Sequence, residues 1–170
     1  MKAIALLGLA VLVACGDSVD SAGDGGDNNG GGATITLGGA VNATLPALAV
    51  ASKSDSDSFS TVGVSIVKPQ GSVTSASLSF RLTGVPAKGS YTSASASVEV
   101  SALEVSTSDN KSWAAFKTPP SGTVGTLEIT SVSMMTKIGA QTLYTIHGSL
   151  ALSTLTNTQG TSSVTMTASF

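Results

Sequence analysis

Few side chains in this 170-residue chain can do chemistry, and their spacing narrows the kinds that stay open. His147 is the only histidine. A catalytic base needs a nucleophile and an orienting partner, and a metal site needs further ligands. Alternation along its segment puts His147 on a polar strand face beside Thr145 and Ser149, where solvent is its expected neighbour. Two carboxylate pairs have the types that glycoside hydrolysis uses, which are acids about 5–10 Å apart. Asp55 and Asp57 would share a side in an extended segment, roughly 6–7 Å apart. However, Ser52-Lys53-Ser54-Asp55-Ser56-Asp57-Ser58 reads as a polar loop. Glu99 and Glu104 fall on one strand, across an expected bulge, and solvated charge is the simpler reading of both pairs. Asp55-x-Asp57 has the opening spacing of a loop calcium site, but Phe59 stands at the third ligand position and no distal acid follows. Serine is abundant, yet no Gly-x-Ser-x-Gly elbow occurs, and the folded part has no phosphate-cradling glycine motif. Trp113, in Asn110-Lys111-Ser112-Trp113, follows a polar turn and is the one aromatic placed to stack on a ligand, with core packing as the plainer alternative. These absences point away from an enzyme and imply no cofactor and no metal.

Cys15 is the only thiol, so no intramolecular disulfide can form and an exported domain would rely on its core. It follows a lysine at position 2 and an apolar run from Ala3 to Ala14. That run has the length of a secretory signal core. As a helix it would reach only about 18 Å, short of a ~30 Å bilayer core. Leu12-Val13-Ala14-Cys15 resembles the lipobox of bacterial lipoproteins. The resemblance implies a signal peptide over 1–14, cleaved before Cys15. It further implies diacylglycerol on the Cys15 sulfur and acylation, by palmitate or a similar chain, of the new amine. Two or three chains would hold the protein firmly at a membrane. Gly16 is not the aspartate that retains some lipoproteins in the inner membrane, so the same resemblance favours the outer membrane or cell surface.

From Gly16 to Gly32 the chain is glycine, aspartate, asparagine and serine with almost nothing to bury, and we read 15–32 as the lipidated cysteine and a flexible tether. Gly26 stands where a calcium loop beginning at Asp24 would need Asp or Asn, so a spacer is the better reading. The remaining stretch, 33–170, is expected to be a single domain. It carries seven bases and six acids, singly spread, and the absence of a basic stripe argues against nucleic acid as a partner.

Alternation dominates this domain, with serine or threonine at most polar positions. Val62, Val64 and Ile66 follow it, as do Ala76, Leu78, Phe80 and Leu82. Further sets are Ala94, Ala96, Val98 and Val100; Tyr144, Ile146, Leu150 and Leu152; and Val164, Met166, Ala168 and Phe170. A period of two sustained this way predicts half-buried antiparallel strands. Parity slips at Ala102/Leu103 and near Ser131 predict β-bulges. Breaks at Lys68-Pro69-Gln70-Gly71, Val85 to Gly89, Thr118 to Gly122, Lys137-Ile138-Gly139 and Asn157 to Gly160 separate the runs. The expected fold is all-β, an antiparallel β-sandwich or small barrel of about eight or nine strands.

Gly122 to Phe170, with Tyr144 to Leu150 and a closing strand ending on an aromatic, loosely resembles small uncharacterised bacterial envelope lipoproteins. That resemblance implies fold and location only. The closing strand also resembles that of outer-membrane barrels, but seven aromatics in all and outward faces of Ser/Thr speak against lipid-facing girdles. The expected protein is a lipid-anchored envelope lipoprotein with a structural, adhesive or binding role, whose partner is an envelope protein or polysaccharide. The competing expectation is a carbohydrate-binding or glycoside-processing envelope enzyme.

Overall fold

The structure, a computed structural model, describes residues 32–170; the expected signal segment, Cys15 and all of the expected tether but Gly32 lie outside them. The regular elements of those residues are ten strands: β1 (Ala33–Gly39), β2 (Ala43–Ser54), β3 (Phe59–Ile66), β4 (Val73–Thr83), β5 (Gly89–Tyr91), β6 (Val98–Thr107), β7 (Ser112–Phe116), β8 (Leu127–Ile138), β9 (Gln141–Asn157) and β10 (Ser163–Ser169). Every pairing is antiparallel, and all ten strands belong to one sheet. Eight of them, taken as β1-β2-β3-β4-β6-β7-β9-β10, close into a ring, because β10 pairs with both β9 and β1. The fold is thus all-β and barrel-like. Closure satisfies the strand edges that an open sheet would leave exposed. β8 lies outside the ring along β9, and β5 pairs only with the start of β8.

The long strand β9 makes this arrangement work. Its first residues pair with β2, from Ala51↔Tyr144 to Ser54↔Gln141. Its later residues, Ser149 to Thr156, pair with β10. β10 and β1 therefore enter as a wedge between β9 and β2. Phe170 ends the wedge: its N–H donates to the Gly148 carbonyl at 2.9 Å and its carbonyl accepts from the Gly148 N–H at 2.5 Å. Only glycine fits there, since a Cβ at 148 would run into the Glu128 carbonyl oxygen and lie 2.9 Å from the Phe170 ring.

The predicted alternation builds the interior. Ile35, Leu45, Val62, Leu78, Phe80, Leu103, Leu150, Leu155 and Met166 are among the fully buried side chains of one continuous core. Burial of each such side chain contributes about 1.5–3 kcal/mol. Ser60 and Ser101 also point inward, and their buried hydroxyls have no hydrogen-bond partner among the described residues.

Three local expectations change. Ala94 and Ala96 are exposed in a turn-rich stretch, and β6 begins only at Val98, so the apparent alternation before it is a serine/alanine loop. The slip in β6 falls at Glu99, where Val98 and Val100 pair with the adjacent residues Leu82 and Arg81, not at Ala102/Leu103. An unforeseen bulge in β9 separates Leu150, opposite Ala168, from Ser153, opposite Met166. It turns Leu152 outward and brings Ser153 and Leu155 in. The slip near Ser131 is present, between Ile129 and Ser131.

Candidate functional site

Asp55/Asp57 and Glu99/Glu104 lie on different elements, and Glu104, opposite Ala114, is exposed beside the buried Trp113. Asp55 and Asp57 occupy the exposed β2–β3 turn next to Ser54, which pairs with Gln141 at one end of β9. Trp113 pairs with Asn157 at the other end of β9. Asp55 is bound to Lys137 at 2.9 Å, and Lys53 donates to the carbonyls of Ser54 and Asp57, closing the turn. On β6, Glu99 pairs with Arg81 at 3.0 Å, and the Arg81 guanidinium lies 4.4 Å from the Phe59 ring centre. Glu104 is exposed on the same strand, opposite Ser77 and Ala114. These are solvated surface charges of the kind that contribute little singly. His147 is exposed on the outer face of β9, opposite Ser131.

Trp113 is 3% exposed and packs in the core, its Nε1–H donating to Ser162 Oγ at 3.1 Å. Buried tryptophans take such a partner for the indole N–H. Its ring faces neighbours inside the barrel and offers no open platform for a ligand. Two shallow crevices, of about 310 and 370 Å³, open on the surface; the first is lined in part by Phe116, Lys117 and Pro120, the second by the β1–β2 and β3–β4 turns. Neither holds a carboxylate or a histidine. Among the described residues, no three metal-ligating side chains gather.

Among the described residues, the strongly shifted carboxyl is Asp109, in the β6–β7 turn. A hydrogen bond from Lys111 and another from Thr107 lower it to about 2. Its oxygens lie 2.6 Å from Lys111 Nζ and 2.5 Å from Thr107 Oγ1. Such a network orders a turn that Asn110 enters with φ 60°.

Outside the barrel, the composition is uneven in a way that linear reading did not reveal. Neither 33–52 nor 138–170 contains a Lys, Arg, Asp or Glu. Folding places these two stretches side by side as β2, β1, β10 and the later part of β9. Their outward positions form cross-strand rows of hydroxyls. Thr44, Thr36 and Thr167 make one row, and Thr34, Ser169 and Ser149 the next. Thr165 and Thr154 make a third, in which Thr165 leans over Gly38. Thr34 and Ser169 share a hydrogen bond of 2.9 Å. Rows on adjacent strands repeat at about 4.8 Å, and positions two apart on a strand at about 6.7 Å. The face is a regular, uncharged grid of groups that both donate and accept hydrogen bonds. Leu48 and Leu152, both exposed, border it.

Comparison with protein-family models, curated proteins and solved structures found no match to the chain.

Proposed function

We propose that this protein is a lipid-anchored bacterial envelope protein that binds a neutral, hydroxyl-rich polymer through the outer face of β2, β1, β10 and β9, without catalysis. The observation that carries the binding role is the charge-free hydroxyl grid. Hydroxyl groups cost far less to desolvate than charges and can exchange hydrogen bonds with a polyol almost one for one. The charge nearest the grid is Glu128 of β8, exposed opposite Ser149 at the end of its row, and it would repel an anionic partner. The interior is filled by apolar side chains, which leaves the outer wall as the working surface. The lipobox Leu12-Val13-Ala14-Cys15 supports anchoring at Cys15, and the 17-residue stretch Gly16–Gly32 would lend the barrel reach from its membrane. Anchoring raises the local concentration of many weak sites along a polymer.

The test is co-sedimentation of the full chain with an insoluble uncharged glucan, in detergent to accommodate the anchor. A Thr36→Lys/Thr167→Lys variant should lose at least tenfold in retention, while Arg81→Ala on the far wall should retain fully. No retention of the parent protein, or equal retention of both variants, would overturn the binding role.

A further inference from the structure

Hydroxyl groups that exchange water for a polyol gain little apiece, so a wall of them needs an apolar anchor to hold a chain in one place. Phe116 stands where such an anchor belongs. Along β7, Trp113 and Ala115 face the core opposite Val105 and Leu103, so Phe116 takes the outward parity and is only half-buried. The platform that the sequence suggests for Trp113 thus falls to Phe116, three residues on.

The segment 121–123 lies between β7 and β9. Ser121 exchanges backbone hydrogen bonds with Phe116, at 2.9 and 3.1 Å, and Thr123 with Thr154, at 2.7 and 2.8 Å. Gly122, between them, has φ 62°, and a Cβ there would run into the Thr154 carbonyl oxygen. This close fit carries the hydroxyl rows onward past β9. Thr165, Thr154 and Thr123 form one continuous row. Ser163, Thr156 and Ser121 form a second, in which Ser121 and Thr156 share a hydrogen bond of 3.0 Å, and Phe116 is its next member. At ~4.8 Å per strand, Ser163 lies about 14 Å from Phe116. Both rows end at the same crevice, lined by Phe116, Lys117, Pro120 and Thr123. Its volume of about 310 Å³ is at the low end of ligand sites and suits one ring, not several. Lys117 is half-buried there and forms no ion pair among the described residues. Its ammonium donates to the Val98 carbonyl and keeps two further donors.

We infer that this crevice is the anchoring subsite of the polymer-binding wall. One sugar ring seats its apolar C–H face on Phe116 and Pro120 while its hydroxyls bind Lys117 and Thr123, and the chain runs from there across the strands along the two rows. The inference rests on the polymer-binding reading. Phe116→Leu keeps apolar bulk and removes the flat ring, whereas Phe116→Tyr keeps both. In co-sedimentation of the full chain with an insoluble uncharged glucan, in detergent, Phe116→Leu should lose at least fivefold in retention. Phe116→Tyr should stay within twofold of the parent. A soluble hexaose of the same glucan, added to the parent protein, should shift the Phe116 ring-proton resonances in NMR spectra, a readout that needs no variant. Equal retention of Phe116→Leu, or ring resonances that stay in place at saturating hexaose, would overturn the subsite. The wall itself would still stand in that case if Thr36→Lys/Thr167→Lys released the glucan. No retention of the parent protein would overturn the polymer-binding reading and the subsite with it.

Discussion

Asp109 shows how a fully solvated carboxylate can still be fixed by its neighbours. Lys111 and Thr107 both stabilise the ionised form, so the folded-state value lies below the ordinary 3.8, at about 2. A depressed carboxyl contributes stability that is present above its unfolded value and is lost as pH falls through the folded one. The order of the β6–β7 turn should therefore persist at pH 4 and disappear toward pH 2. An NMR titration of the Asp109 carboxyl should give a midpoint near the lower value; a midpoint at the ordinary one would contradict the network. Ser101 is the opposite case. Its buried hydroxyl has no partner among the described residues, so Ser101→Ala removes a desolvated polar atom and should raise stability by about 1 kcal/mol in denaturant melts. A clear loss of stability would show that the hydroxyl is satisfied.

Gly148 is where three elements converge, and its cost of substitution follows from backbone contacts alone. Gly148→Ala forces the Glu128 carbonyl of β8 and the Phe170 ring to give way. Backbone cannot yield as a flexible side chain does, so the variant should lose about 3 kcal/mol or more, at the upper end of overpacking effects. An unchanged melting midpoint would mean that the wedge of β10 and β1 is looser than described. This junction also marks where reading the chain reached its limit. Tyr144, Ile146 and Leu150 were legible as inward positions because a period of two survives any pairing. The bulge after Leu150 was not, because it answers to the register of β10 and leaves no local trace in Ala151-Leu152. Ala94 and Ala96 mislead for a related reason: small residues alternating with serine satisfy the pattern without having enough surface to bury.

For the molecule as a whole, the face we assign to binding exists only once the chain is folded. Thr34, Thr36, Thr44, Thr165 and Thr167 look like ordinary polar positions in sequence, separated by more than a hundred residues. Ring closure through β10 brings them into common rows. The opposite wall carries the exposed charges Arg81, Glu99 and Glu104. This division suits a protein held at a surface, with one wall for its target and the other for solvent.

On the proposed function, the barrel works while tethered by lipid at Cys15. Intact mass of the protein extracted from its native membranes, beside a Cys15→Ser variant, tests it most directly. A tethered protein should give a chain that begins at Cys15 and carries the added mass of two or three acyl chains, all of it lost with the serine. An unmodified chain, or one that retains Met1, would contradict it.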